Sequence, residues 1–108
     1  MSISLSSHVL DTTLGKPAAN MRLTLSNASG EQVEAITDAD GRCKSWQNML
    51  LKAGIYHLRF HTQDYLLKHH DKGFYPYVDV SFELQADGGH YHVPLLISPY
   101  GFSSYRGS

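Results

Sequence analysis

The chain is short of almost everything that would advertise a function. Its 108 residues include one cysteine, Cys43, so no internal disulfide can staple it, which suits a reducing compartment. Nine Lys and Arg stand against ten Asp and Glu, a balance without the basic footprint of a nucleic-acid or anionic-membrane binder. No window approaches the roughly 20 apolar residues of a membrane helix. MSISLSSHVLD has neither the basic start nor the apolar run of a secretory signal. No segment repeats, and no P-loop, dinucleotide fingerprint or nucleophile elbow is present. What these absences leave is a single domain over residues 1–108, expected to be soluble and cytoplasmic, of a size that can bury one core.

What is present has a period of two. Met21, Leu23 and Leu25 alternate with Arg22, Thr24 and Ser26, the pattern of a half-buried strand. IYHLRFHT sets Tyr56, Leu58 and Phe60 against His57, Arg59 and His61, and YVDVSFEL repeats the pattern. In YHVPLLIS, Tyr91, Val93, Leu95 and Ile97 share a face opposite His92 and the preceding His90. SISLSSHV and EQVEAIT are weaker strand candidates. LGKPAAN, NASGE, DADG, KAG and ADGGH separate the runs with turn residues. Six to eight short strands with such turns predict an antiparallel β-sandwich whose strands end by about Ser98. The one helical candidate runs from about Thr62 to Asp71, with Gly73 as its C-cap. Pro94 in an otherwise good strand marks an edge or a bulge.

Seven histidines are many for this length, and histidine is the side chain best suited to proton transfer near neutral pH. Most histidines simply decorate solvent faces, so each candidate needs a reason. His90 and His92 project to one face of a strand, as two of three zinc ligands do in some enzymes. His8, His57, His61, His69 and His70 are all available as a third ligand, and no motif selects one. A catalytic or interface role for one of the pair is the simpler reading. Asp38 to Gly41 resembles part of a calcium loop, but Ile36 and Gln47 would occupy its first and last ligand positions. A turn fits better, with Asp38 and Asp40 bonding backbone amides and Gly41 at positive φ. It would aim Arg42, which locally reads as a salt-bridged or solvated arginine. Cys43 falls on the opposite face and reads as a small buried hydrophobe.

Four segments carry a resemblance. SSHVLDTTLGKPA, TDADGR, FYPYV and HYHVPLLISPYGFSSYRGS, in that order from Ser6 to Ser108, resemble the transthyretin-related 5-hydroxyisourate hydrolases of urate degradation. The terminal YRGS is the most specific tag, and Phe102 and Ser104 are ordinary variation around it. The resemblance implies an eight-stranded transthyretin-like sandwich with one short helix, assembled as a homotetramer whose sites lie where two dimers meet. It implies His8, Arg42 and His92 as catalytic residues. His8, Arg42, Tyr105, Arg106, Gly107 and Ser108 would contact a small purine-derived substrate, without metal or organic cofactor. It leaves His90 outside the catalytic set and does not say which histidine is the base. A transthyretin-style carrier would use the same groove but calls for more apolar lining, and a β-sandwich interaction module would account for the strands alone.

Overall fold

The computed structural model describes residues 2–107. The first sheet contains β1 (Ile3–Asp11), β2 (Lys16–Pro17), β5 (Arg42–Cys43), β8 (Gly89–Ser98) and β9 (Gly101–Ser104). The second contains β3 (Arg22–Asn27), β4 (Gln32–Ile36), β6 (Gly54–Phe60) and β7 (Val78–Leu84), in the order β4-β3-β6-β7. Among the described residues one helix, α1 (Thr62–His70), connects β6 to the segment before β7.

Alternation produces the core. Leu5 and Val9 of β1, and Tyr91, Val93, Leu95 and Ile97 of β8, face Leu23, Leu25, Tyr56, Leu58 and Phe60 across the sandwich, all buried. Each such side chain contributes about 1.5–3 kcal/mol by leaving water. The expected sandwich is therefore present, with three details the sequence did not show. First, β1 and β8 pair in parallel, Leu5 beside Tyr91 and Val9 beside Leu95; the other ladders among the described residues are antiparallel. Second, the strands do not stop at Ser98, because β9 folds back on β8 from Gly101. Third, the left-handed residue after α1 is Asp71 at φ 63°, not Gly73.

Pro94 is the instructive case. It sits in a strand paired on both sides, between β1 and β9, rather than at an edge. Its carbonyl accepts from Ser104 Oγ at 2.7 Å, so its ring nitrogen turns toward β9, and the ladder to β1 loses no donor. The gap falls on the C-terminal segment. β9 pairs Leu95 with Ser104, and the same register would set Pro94 opposite Tyr105, where a proline cannot donate. Pairing resumes two residues later, as Gly107 N–H donates to the His92 carbonyl at 2.7 Å.

The buried carboxylate of Asp11 secures the end of β1. Its Oδ1 accepts from the Thr13 and Leu14 amides, and its Oδ2 accepts from Tyr65 at 2.8 Å and meets His70 Nε2 at 2.6 Å. Burial opposes the charge, but these bonds outweigh it and hold the acid below its usual range. Strand and helix are thus fastened at one point.

Candidate active site

On β1 the core takes the odd-numbered residues and leaves Ser4, Ser6 and His8 on the outer face. The short strand β5 lies along the free edge of β1 and sets Arg42 directly opposite His8. The DADG turn places it there. Asp38 Oδ1 accepts from the amides of Asp40 and Arg42, both at 2.9 Å, and its carbonyl accepts from Gly41. Gly41 has φ +73°, and a Cβ there would come within 2.5 Å of the Val9 carbonyl oxygen. Asp40 departs from expectation: it offers its backbone carbonyl to His8 Nε2 at 2.9 Å. A carbonyl can only accept, so Nε2 carries the proton and, in the neutral ring, the lone pair lies on Nδ1.

His92 projects from β8 onto the same face, its ring centroid 6.5 Å from that of His8. Ser6, its neighbour in the parallel ladder, bonds its Nδ1 at 2.7 Å. Burial first, then repulsion from His8, Arg42 and His90, pushes its pKa below the usual histidine value. The neutral ring is favoured, as a general base near neutral pH requires. Gly107 lies against this ring, where a Cβ would come within 2.5 Å of His92 Cδ2. Only glycine leaves room for the tail to pair with His92 and for the imidazole to stay in place.

The HYH pair separates in its surroundings. His90 is exposed and held between Ser4 and Ser6, outboard of the His8–His92 pair. Among the described residues no three His, Cys, Asp or Glu side chains gather as metal ligands. Cys43 is buried, and burial raises its thiol pKa, as for an inert structural cysteine.

The structure therefore brings together His8, Arg42, His92 and Gly107. Tyr105 is exposed and borders the same depression as Arg106. Arg106 is not gathered with them: its guanidinium sits 4.4 Å from the Tyr91 ring centroid. There it borders a depression of about 290 Å³ shared with Val80, Phe82 and Val93. Alternation explains the split, because Gly107 opposite His92 leaves Arg106 opposite buried Val93. Ser108 lies outside the described residues. His8 and His92 are half-buried and Arg42 is exposed, so the group lies on an open face of the chain; depressions of about 310–460 Å³ elsewhere are lined by other residues. Sequence reasoning missed Ser6. Its alternation with His8 was visible, but the parallel partner strand that makes it a neighbour of His92 was not.

Two imidazoles with available lone pairs, an adjacent guanidinium and a glycine-bearing tail can activate a water and steady an oxyanion. The family pattern described as the HIUase/Transthyretin family matches residues 5–107. A 5-hydroxyisourate hydrolase of Deinococcus radiodurans is 42% identical, the match covering 96% of this chain and 95% of the relative. Among solved structures, Klebsiella pneumoniae 5-hydroxyisourate hydrolase superposes with a TM-score of 0.88 at 34% identity, covering 100% of both chains. Sea bream transthyretin in complex with thyroxine superposes at 0.86 with 27% identity, covering 95% of this chain and 93% of its own.

Proposed function

The chain belongs to the HIUase/Transthyretin family, and from that premise we propose that it hydrolyses 5-hydroxyisourate in urate degradation. The product is 2-oxo-4-hydroxy-4-carboxy-5-ureidoimidazoline. The carrying observation is local: the C-terminal segment is paired to His92, with Gly107 against the imidazole opposite His8 and Arg42. A carrier has no use for a neutral base held among cations.

Opening the six-membered ring needs a water oxygen bonded to the lactam carbon, stabilisation of the oxyanion that forms, and a proton for the departing nitrogen as the C–N bond breaks. His92, with its lowered pKa, and His8, with a lone pair on Nδ1, are the proton-handling pair. Burial and His8 favour a neutral His92, Arg42 adds to this, and Arg42 orients the polar edge of the substrate. Tyr105, Gly107 and Ser108 complete the proposed substrate-binding set, of which Gly107 is the one seen against His92. Arg106 remains in the substrate-binding set as a proposal: stacked on Tyr91 it anchors the tail, and it meets substrate by leaving that ring or by facing a neighbouring subunit's site. No metal or organic cofactor takes part.

A homotetramer is part of this reading. The site is an open face that needs a second wall to exclude water, and a second copy of the same face would supply it. The proposed compartment is the cytoplasm, which the single buried thiol suits; no helix among the described residues is long and apolar enough to cross a membrane. The test is ultraviolet decay of freshly made 5-hydroxyisourate, with and without exhaustive EDTA or dipicolinate treatment. The expected result is metal-independent acceleration. Decay at the spontaneous rate would overturn the assignment, and activity lost on chelation and restored by zinc would overturn the cofactor-free mechanism.

A further inference from the structure

A hydrogen-bond chain crosses the outer seam of the two central strands, and the hydrolytic reading above does not use it. β1 and β8 run parallel with Ser4 beside His90 and Ser6 beside His92, so hydroxyls and imidazoles face each other along the seam. Ser4 Oγ is 2.6 Å from His90 Nδ1, Ser6 Oγ is 3.0 Å from His90 Nε2, and Ser6 Oγ is 2.7 Å from His92 Nδ1. Ser6 bridges the two rings.

A hydroxyl has one proton, and a neutral imidazole has one N–H. Ser6 can therefore donate to one ring only and must accept from the other. Two arrangements satisfy every bond. In the first, His92 Nδ1–H donates to Ser6, Ser6 donates to His90 Nε2, and His90 Nδ1–H donates to Ser4. In the second, every bond is reversed. The first leaves a lone pair on His92 Nε2, and the second leaves an N–H there. Nε2 has no partner among the described residues, and Gly107 covers the Cδ2 side of the ring. Nε2 is the nitrogen left for water or substrate.

We infer that Ser4, His90, Ser6 and His92 form a proton relay that rests with a lone pair on His92 Nε2 and connects that nitrogen to solvent. This rests on the hydrolytic reading in one respect, that His92 takes a proton from water. As Nε2 gains it, the Nδ1 proton moves to Ser6, the Ser6 proton to His90 Nε2, the His90 Nδ1 proton to Ser4, and the Ser4 proton to bulk water. Each relay group gains one proton and loses one, and no electrons are exchanged. His92 is then neutral with N–H at Nε2, the form that can donate to the departing lactam nitrogen. That donation draws one proton back through the chain and restores the first arrangement. Within one chain Ser4 and His90 are exposed whereas Ser6 and His92 are half-buried, so the relay runs outward from His92, away from Arg42 and His8, to its outlet. His8, Arg42 and His90 are the charged or ionisable groups acting on His92, and all of them disfavour a proton stored there. Ser6 and His90 are positioning residues, acting through His92.

Two measurements decide this. Long-range 1H–15N correlation spectra of histidine-labelled protein read tautomers without substrate. They should show His92 protonated on Nδ1 in the parent and a mixture of tautomers in Ser6→Ala. Steady-state kinetics should show kcat lowered roughly tenfold in Ser6→Ala with KM nearly unchanged, part of the hundredfold or more a positioned base supplies. Ser6→Thr should recover most of that loss, and His90→Gln should lower kcat by a few fold. Parent His92 protonated on Nε2, or full kcat in folded Ser6→Ala, overturns the relay while leaving hydrolysis intact. If the parent does not open 5-hydroxyisourate, the hydrolytic reading fails, and the tautomer spectra still decide whether the chain has the stated polarity.

Discussion

The outer faces of the two sheets carry the same residue types and behave differently. On the second sheet, Arg59 makes a bidentate pair with Asp79 at 2.8 and 2.9 Å, and Arg22 meets Glu34 at 3.3 Å. Glu34 also accepts from Thr24, which bonds His61, and His57 bonds Ser81. On the first sheet, His8, Arg42, His90 and His92 form no salt bridge among the described residues. His61 and His92 are both held below the usual range, by burial first. Around His61 the charge of Arg22 is opposed by Glu34, whereas His8, Arg42 and His90 all act on His92 in one direction. A face whose charges are cancelled is a solvated surface. One whose basic groups all act on His92 in one direction favours a neutral base there.

The largest expected effect separates the faces outright. His8→Asn or His92→Asn should lower the hydrolysis rate by about a hundredfold or more, while His57→Asn and His61→Asn leave it nearly unchanged, with circular dichroism confirming folding throughout. Equal losses on both sheets would break the comparison.

The tail belongs to the first face only. Deleting residues 105–108 should abolish nearly all hydrolysis in a protein that stays folded, because the core is buried by strands that end at Ser104. Gly107→Ala is the sharper version. Its Cβ would come within 2.5 Å of His92 Cδ2, so ring or tail must move, with an expected loss of roughly tenfold or more. Full activity in either protein would show the tail to be dispensable; sedimentation would reveal a tail needed for assembly.

Charge cancellation can be tested by pH. Activity should fall as pH drops through the lowered pKa of His92, since the protonated ring cannot accept a proton, so the acid limb of kcat/KM lies below about 6.5. Arg42→Gln removes one repulsion, raises that pKa and moves the limb upward. Arg42→Lys should leave the limb in place and lower the rate through loss of the planar fork. An unmoved limb in Arg42→Gln would mean that Arg42 does not tune His92.

The smallest effect lies on the second face. Arg59 and Asp79 are both 42% exposed, so Arg59→Ala should leave the midpoint of chemical denaturation nearly unchanged, with no change in rate.

Alternation and turn chemistry are local, and the sequence alone determined what depends on them. Sandwich strands, the helix, the Asp38–Gly41 turn, and the opposite faces of Arg42 and Cys43 follow from a period of two and a few turn residues. So did the resemblance, which rests on short segments in order. Only the tertiary structure decided which strands are neighbours. The parallel pairing of β1 with β8 joins residues more than eighty positions apart, and no local preference encodes it. That pairing sets Ser6 beside His92 and makes Pro94 an interior residue whose missing donor falls on the tail. It also makes Gly107 a matter of space: a glycine in a terminal YRGS looks like fraying until an imidazole is found where its Cβ would be. Periodicity places a side chain on a face, but the fold chooses what meets it there, because contacts across a sheet are made between strands and not along one.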